Sequence, residues 1–257
     1  MKAEESERLT VMEMETVRID GNGSVRHLVL NRPEVHNAVN GQLVADLDQA
    51  ITLLDSDPAV RVVILRGEGK SFCSGADLKQ ARGSSLDAML GSKQGAKMYD
   101  ALLHLTPITI ALCHGYMIGG GAVLPAACDF RIGSGSIKLT LNEVSIGFNL
   151  TWNSIPVLVN LVGPHRAKEM LILGRTYETD ELADYGFFTS KVDTDEELVQ
   201  AGESLANEVI KQPPVPVAVS KASINAQSMP FGRAVQHMDH VAAVSYTHLT
   251  LPTTPYV

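Results

Sequence analysis

The apolar positions in the first half of the chain form two kinds of strand-like pattern. "TVRI" and "VRHLVL" flank "DGNG" at 20–23, which predicts a β-hairpin because glycine and asparagine accept the positive φ of tight turns. "VRVVILRG" at 60–67 and "PITIALCHG" at 107–115 are continuous apolar runs rich in β-branched residues. Such runs are typical of parallel strands that are covered on both faces of a sheet.

Helical periodicity separates these strands and dominates the last third of the chain. Apolar residues recur at helical spacing from Val39 to Leu54, and another helix is predicted around 98–105. Two further strand-like pieces, "DFRIGSG" and "IKLTLNEVSIG", precede Trp152. Helices are then predicted at "PHRAKEMLILG", "TDEELVQAGESLANEVIKQ" and "VPVAVSKASINAQ". The alternation of strands and helices predicts an α/β fold.

The amino-acid composition limits which binding partners and which cellular compartment the protein is predicted to have. The 257 residues, 45% of them hydrophobic, can form one large domain with a substantial core. The 21 basic and 29 acidic residues are scattered and give a net charge of -8, which argues against nucleic acid and anionic membranes as partners. The three cysteines, odd in number and widely spaced, predict a cytoplasmic protein without a disulfide framework or a zinc site.

A membrane span must be weighed at 101–128, because this stretch contains no charged residue and is long enough to cross a bilayer. Two prolines and four glycines interrupt it. A buried strand, a tight turn and the start of a buried helix explain the same apolarity, and we therefore predict no membrane partner.

Two glycine-bearing turns follow the two predicted parallel strands. "KSFCSGADLK" comes after the strand at 60–67, and "HGYMIGGGAV" comes after the strand at 107–115. Ligands bind at the carboxyl ends of parallel strands, where free backbone amides can point at an anion. Two such turns could aim two N–H groups at one oxygen, which is the geometry of an oxyanion hole.

These motifs resemble the enoyl-CoA hydratase/isomerase family, also called the crotonase superfamily, from about Thr16 to about Val244. The resemblance rests on the ordered series "NRPEVHNAV", "DPAVRVVILRG", "KSFCSGADLK", "GYMIGGGAV", "CDFRI", "LNEVSIG" and "VGPHRAKEMLILGR". It implies a crotonase/ClpP-like spiral of ββα units with a helical carboxyl-terminal region. It also implies an acyl-CoA substrate, no separate cofactor because the CoA thioester is itself the substrate, and assembly as a homotrimer or hexamer.

The resemblance assigns the catalytic positions residue by residue. The backbone amides of Ala76 and Gly120 match the pair that stabilises an enolate-like state on the thioester oxygen. Glu143 matches one of two family positions for a catalytic glutamate, whereas Val123 stands at the other. A hydratase of the family uses both carboxylates, while an isomerase can move one proton from C2 to C4 with one. We therefore predict an enoyl-CoA isomerase, with enoyl-CoA hydratase as the alternative.

Other positions are predicted to contact the substrate or its CoA moiety, much of it through main chain. These are Glu34, His36, Ala38, Ser74, Gly75, Asp77, Leu78, Gly119 and Trp152. For Asp77 a structural role, accepting hydrogen bonds as the turn enters a helix, is favoured over a chemical one. Trp152, the only tryptophan, is interpreted either as a wall of the acyl pocket or as a core or interface residue.

Several other functions stay open on the sequence alone. A catalytically weak acyl-CoA-binding protein is one, because Val123 removes half of the usual carboxylate pair, and a thioesterase using the same oxyanion hole is another. Cys73 lacks a recognisable base partner for covalent catalysis. No metal site is predicted, since His237 and His240 have no further ligands clustered with them.

The chain is divided into three predicted segments. Residues 1–205 form the spiral core with the acyl-CoA site, and 206–244 form a carboxyl-terminal helical region that is shorter than in the family. The tail at 245–257, "SYTHLTLPTTPYV", is rich in threonine and proline without helical period, which predicts a non-native segment that does not support assembly.

Overall fold

The computed structural model describes residues 11–77 and 85–228. Its strands are β1 Met12–Glu13, β2 Val17–Asp20, β3 Val25–Leu30, β4 Val62–Gly67, β5 Ile108–Cys113, β6 Tyr116–Ile118, β7 Phe130–Gly133, β8 Lys138–Thr140, β9 Thr176–Glu178 and β10 Ser190–Lys191. Its α-helices are α1 Gly41–Ser56, α2 Ser85–Leu103, α3 Gly120–Ala126, α4 Ser154–Leu173, α5 Thr179–Asp184, α6 Glu197–Ile210 and α7 Pro214–Ser228. Short 3-10 turns lie at Pro33–Val35 and Val144–Ile146.

The strands form two sheets within the described residues. The larger has the order β1-β2-β3-β4-β5-β7-β10, and the smaller has the order β6-β8-β9. The predicted hairpin is confirmed, since β2 and β3 pair antiparallel with Val17 opposite Leu30. The predicted parallel strands are confirmed as well, because β3, β4, β5 and β7 run parallel to one another in that order. Pairs of strands followed by a helix recur along the chain, as the predicted ββα spiral requires.

Helix α1 covers one face of the large sheet. Asn40 caps its amino end by accepting a hydrogen bond from the Leu43 amide at 2.8 Å. The apolar residues predicted from the helical spacing lie on its buried side, namely Leu43, Leu47, Ala50, Ile51 and Leu54. Val39 precedes the helix and forms a β-bridge with Ala76 instead. The sequence pattern therefore placed the buried face correctly and the first turn two residues too early.

Helix α6 covers the opposite face of the same sheet. Its residues Leu198 and Ala206 are buried with Ile64, Ile110 and neighbouring side chains of the central strands. Apolar burial on both faces is what the continuous runs of β4 and β5 predict. Helix α6 also crosses residue 205, the predicted end of the core segment; the three-segment division stays a prediction, and 229–257 lie outside the described residues.

The uncharged stretch at 101–128 is divided among four elements. It contains the end of α2, all of β5 and β6, and α3. No helix within 11–77 and 85–228 combines the length and apolarity that crossing a bilayer requires.

Helix α4 contains a break where the sequence predicts a new helix start. Gly163 has φ 78° and ψ 160°, so the helical backbone is interrupted there and Pro164 begins the second half. Gly174 ends the helix in the left-handed conformation at φ 57°. Helix α7 likewise starts at the second of two adjacent prolines, Pro214.

Candidate active site

The two glycine-bearing turns lie side by side at the carboxyl ends of β4 and β5. The Cys73 amide donates to the Tyr116 carbonyl at 3.1 Å, and the Ile118 amide donates back to the Cys73 carbonyl at 3.1 Å. Cys73 and Met117 thereby form a parallel bridge. Three residues beyond each bridge partner stand Ala76 and Gly120, the two predicted oxyanion donors.

Both predicted amides are free of partners among the described residues. Val39 donates to the Gly75 carbonyl at 2.7 Å and accepts from the Asp77 amide at 2.8 Å, so it bonds on either side of Ala76. In a parallel bridge the residue between those two bonds turns its own N–H away. Gly120 is the first residue of α3, where an amide has no partner within the helix. The arrangement leaves two N–H groups on adjacent segments without a partner among the described residues, as the predicted oxyanion hole requires.

The three consecutive glycines are required by three different contacts. Gly119 has φ 50° and ψ -115°, a conformation that only glycine adopts readily, and a methyl group there would collide with the Glu143 Oε1. A methyl group at Gly121 would collide with the Cys73 carbonyl oxygen, and one at Gly120 would lie 3.2 Å from the Trp152 Cη2. The three glycines thus allow close packing against Glu143, Trp152 and Cys73. They also leave the backbone without side chains that would obstruct a ligand.

Glu143 reaches this backbone from the turn after β8. The Phe148 amide donates to its carbonyl at 2.8 Å, which fixes the residue at the start of the Val144–Ile146 turn. Its Oε1 lies against Gly119, the neighbour of Gly120. The Oε2 is buried and has no hydrogen-bond partner among the described residues. The carboxylate is therefore held beside the amide pair with one oxygen uncommitted.

Burial raises the pKa of the Glu143 carboxyl above its ordinary value, and only its own backbone amide opposes this shift. A carboxylate with a raised pKa is a stronger base, because the proton it accepts is bound more tightly. The environment therefore suits Glu143 to remove a weakly acidic proton.

Val123 offers no second carboxylate. Its side chain is 1% exposed and packs in the main apolar core. Asp77, the acidic residue nearest to Ala76 in the chain, forms an ion pair with Arg32 at 3.2 Å, and both side chains are largely buried. A carboxylate committed to a guanidinium in this way has a structural partner for its charge.

The segment that precedes α1 is anchored to the Ala76 turn by side chains that sequence reasoning missed. Asn37, with φ 55°, is fully buried, and its Nδ2 donates to the carbonyls of Glu68, Ser71 and Phe72 at 2.9–3.1 Å. Arg32 donates to the Ala38 carbonyl as well as to Asp77. The only sequence signal was the short polar motif "NRPEVHNAV" between a strand and a helix.

The predicted CoA-contact positions fall into different environments. Glu34 and His36 are exposed, whereas Ala38 is buried and can meet a ligand mainly through main chain. The Ser74 amide donates to the His36 carbonyl at 2.9 Å, which joins the two segments. Gly75, with φ +82°, packs against the Ile118 carbonyl, and Leu78 lies outside the described residues.

Trp152 lies at the site rather than in a remote part of the core. Its indole contacts Gly120 on one side and Gly95 of α2 on the other. The side chain is half-buried and packs against the main core. Of its two sequence interpretations, the position beside Gly120, a predicted oxyanion donor, fits the pocket wall, while its core contacts fit the core residue. Gly95 carried no distinctive sequence signal.

Thiol and metal chemistry find little support in the described residues. Burial raises the pKa of the Cys73 thiol to about 12, so a reactive thiolate is scarce near neutral pH. Within 11–77 and 85–228 there is no group of three or more histidine, cysteine, aspartate or glutamate side chains that could hold a metal ion.

A separate cavity of about 580 Å³ lies between α4, α7 and the segment at 126–131. Lys221, Asp129 and Arg131 are among its lining residues, but Ala76, Gly120 and Glu143 are not. The candidate active site is defined instead by the free amides and the unpaired carboxylate oxygen.

Comparison with known proteins identifies the family to which the chain is similar. The enoyl-CoA hydratase/isomerase family model matches residues 20–249. The chain is similar to the short-chain-enoyl-CoA hydratase of Clostridium acetobutylicum, with 31% identity over 218 residues that cover 83% of this chain and 82% of that protein. It is 30% identical over 222 residues to the peroxisomal Delta(3,5)-Delta(2,4)-dienoyl-CoA isomerase of Arabidopsis thaliana, covering 81% of this chain and 80% of that one.

A solved structure shows that the similarity includes the fold. The enoyl-CoA hydratase of Bacillus anthracis superposes with a TM-score of 0.80 at 27% identity, covering 91% of this chain and 92% of that chain. Fold and site together define an α/β enzyme with the crotonase fold. The chain belongs to the enoyl-CoA hydratase/isomerase family, which confirms the resemblance in its motifs.

Proposed function

We propose that the protein is an enoyl-CoA isomerase that moves a double bond from C3 to C2 of an acyl-CoA thioester. The observation that carries the proposal is the single carboxylate beside the paired amides. Glu143 lies against Gly119, next to the free amide of Gly120, while Val123 occupies the second carboxylate position with an apolar side chain in the core. One proton shuttle is sufficient for isomerisation.

The reaction divides into two proton transfers. Glu143 takes a proton from C2, and the C–H electron pair enters the conjugated system, forming a dienolate with negative charge on the thioester oxygen. The Ala76 and Gly120 amides donate to that oxygen, each contributing about 3 kcal/mol of transition-state stabilisation. The protonated Glu143 then returns the proton to C4, which leaves the double bond between C2 and C3 and restores the carboxylate.

Enoyl-CoA hydratase is the second candidate, and the names of relatives favour it. The Clostridium acetobutylicum protein carries that activity in its name, while the Arabidopsis thaliana protein is named as an isomerase. Hydration needs water held and deprotonated at C3 while C2 receives a proton. Val123 lies in the core and Asp77 is paired with Arg32, so neither of these two positions supplies a free second carboxylate for hydration.

Incubation with trans-3-hexenoyl-CoA and, separately, trans-2-hexenoyl-CoA tests the assignment. Mass spectrometry separates isomerisation, which leaves the mass unchanged, from hydration, which adds one water. We expect the 2-enoyl chromophore to appear from the 3-enoyl substrate faster than either substrate gains water. Faster hydration would assign a hydratase, release of free CoA thiol a thioesterase, and binding without turnover an acyl-CoA-binding protein.

We further propose that the enzyme is a cytoplasmic homotrimer or hexamer. Exposed apolar side chains near the site support assembly, since Val144, Ile146, Ile172 and Leu173 are each at least 42% exposed. Light scattering coupled to size-exclusion chromatography measures the oligomer directly. A monomer at micromolar concentration would contradict this proposal without affecting the assignment of the reaction.

A further inference from the structure

The indole of Trp152 bridges two elements that flank the reacting centre. Its pyrrole edge faces α2, where Cδ1 and Cε2 lie 2.5 and 2.6 Å from the position that a methyl group at Gly95 would take. Its benzene edge faces α3, where Cη2 and Cζ3 lie 3.2 and 3.4 Å from the corresponding position at Gly120. The ring therefore fills the space between the two glycines lengthwise.

Two features indicate that the indole is kept in this place by its surroundings. Trp152 has φ 63° and Asn153 has φ 57°, so two successive residues adopt the left-handed conformation before α4. For a bulky side chain this conformation costs about 1–2 kcal/mol, which the surrounding packing must offset. Gly95 is the second feature, because any side chain on α2 at that point would occupy the space of the indole.

We propose that Trp152, positioned by Gly95, closes the acyl pocket and restricts the enzyme to short acyl chains. This inference rests on the proposed function, which places the thioester oxygen at the Gly120 amide. An acyl chain bound there starts between the Glu143 carboxylate and the benzene edge of Trp152, since these contact neighbouring glycines. The rigid ring blocks extension toward α2, so the preferred substrate class is a short 3-enoyl thioester.

The test compares chain lengths in binding as well as in turnover. Dissociation constants for hexanoyl-CoA and decanoyl-CoA, measured by titration calorimetry, do not depend on which reaction the enzyme performs. We expect wild type to prefer hexanoyl-CoA, and Trp152→Ala to shift the decanoyl-to-hexanoyl affinity ratio toward decanoyl-CoA by about tenfold or more. Trp152→Phe, which keeps an aromatic ring, should give a smaller shift of the same sign if the alanine variant does not fold.

Gly95 provides a second test with a matched control one turn away. Gly91→Ala places a methyl group in open space on the same helix, whereas Gly95→Ala forces the indole to move. Because Trp152 is the only tryptophan, intrinsic fluorescence reports its environment directly. We expect altered emission and at least about tenfold weaker hexanoyl-CoA binding in Gly95→Ala. Gly91→Ala should match wild type in both measurements.

The outcomes separate the inference from the assigned reaction. Equal affinity of wild type for both chain lengths, or an unchanged ratio in both Trp152 variants, overturns the inference even if isomerisation is observed. A chain-length preference that the Trp152 variants relax, without isomerase turnover, supports the inference and refutes the reaction. If the fluorescence emission of Gly95→Ala equals that of wild type, α2 does not position the Trp152 ring.

Discussion

At the scale of single residues, the proposed chemistry depends on Glu143, whose carboxylate has a buried oxygen without a partner among the described residues. Other largely buried carboxylates among the described residues have partners, as Asp77 has Arg32 and Asp46 has the amide and hydroxyl of Thr16. Glu143 differs because its buried Oε2 has no partner among the described residues. An unsatisfied buried oxygen is destabilising, and its presence beside two free amides supports the proposal that Glu143 acts on a bound substrate.

Replacing Glu143 with glutamine tests its role as the base. Glu143→Gln keeps the size of the side chain and removes its basicity, so turnover should fall by about 10²–10⁴-fold with acyl-CoA affinity largely unchanged. Steady-state kinetics with a 3-enoyl-CoA and calorimetry with its saturated analogue provide the two measurements. Glu181→Gln, at an exposed glutamate of α5, is the control. Near-normal turnover in Glu143→Gln would contradict the assignment.

The raised pKa of Glu143 predicts two opposite pH effects. The base must be ionised, so turnover should rise with pH through an apparent pKa above that of an ordinary glutamate. Between the ordinary and the raised pKa the folded state binds more protons than the unfolded state, so stability falls as pH rises through that window. Wild type should therefore lose stability relative to Glu143→Gln over that window, measured by urea unfolding. A constant difference would show that burial does not perturb this carboxyl.

At the scale of elements, the site depends on how closely the two turns approach each other. The amide pair is set by the contact of the glycine run with the Cys73 segment, where Gly121 meets the Cys73 carbonyl. Neither turn alone contains both predicted oxyanion donors. Their relative position is fixed by the parallel register of β4 and β5, in which Val62 pairs with Ile108.

A methyl group at Gly121 should separate the two turns. Gly121→Ala is expected to destabilise the protein by about 1–3 kcal/mol through overpacking and to reduce turnover, because the Gly120 amide moves with it. Gly41→Ala is the matched control, since Gly41 also lies in a first helical turn but has open space around it. It should be neutral or stabilising by up to about 1 kcal/mol. Urea unfolding and steady-state kinetics check both variants, and equal behaviour would remove the packing argument.

Local sequence patterns predicted the helices and strands, but they did not predict the contacts between distant segments. Strand runs, the hairpin turn and the Gly163–Pro164 break each follow from the preferences of neighbouring residues, so the sequence was sufficient. The motif series placed Ala76, Gly120 and Glu143 together. Nothing local predicted that Gly95 packs on Trp152 or that Asn37 joins three carbonyls, because such contacts exist only once the chain has closed on itself.

At the scale of the whole molecule, the carboxyl-terminal helices must be held against the spiral. Helix α7 is attached through Lys221, whose Nζ lies 2.7 Å from the Asp129 carboxylate and donates to the Pro107 carbonyl at 2.8 Å. Asp129 also accepts hydrogen bonds from the Thr109 amide and hydroxyl at 2.8 and 2.9 Å. Asp129 thus has a partner 92 positions away in sequence, from 129 to 221.

Removing only the lysine of this ion pair should destabilise the fold more than removing both charges. The Lys221 side chain is 6% exposed and that of Asp129 is 17% exposed, so Lys221→Met leaves a largely buried carboxylate without its cation and should cost about 3–5 kcal/mol. Adding Asp129→Asn, which keeps hydrogen-bonding capacity without the charge, should recover part of that loss because the unpaired charge is gone. Lys211→Met, at an exposed lysine after α6, should leave stability unchanged.

Urea unfolding of the single and double variants measures the coupling between Lys221 and Asp129. If the two single effects simply add, the ion pair does not hold α7 to the sheet, and the apolar contacts of that helix are sufficient.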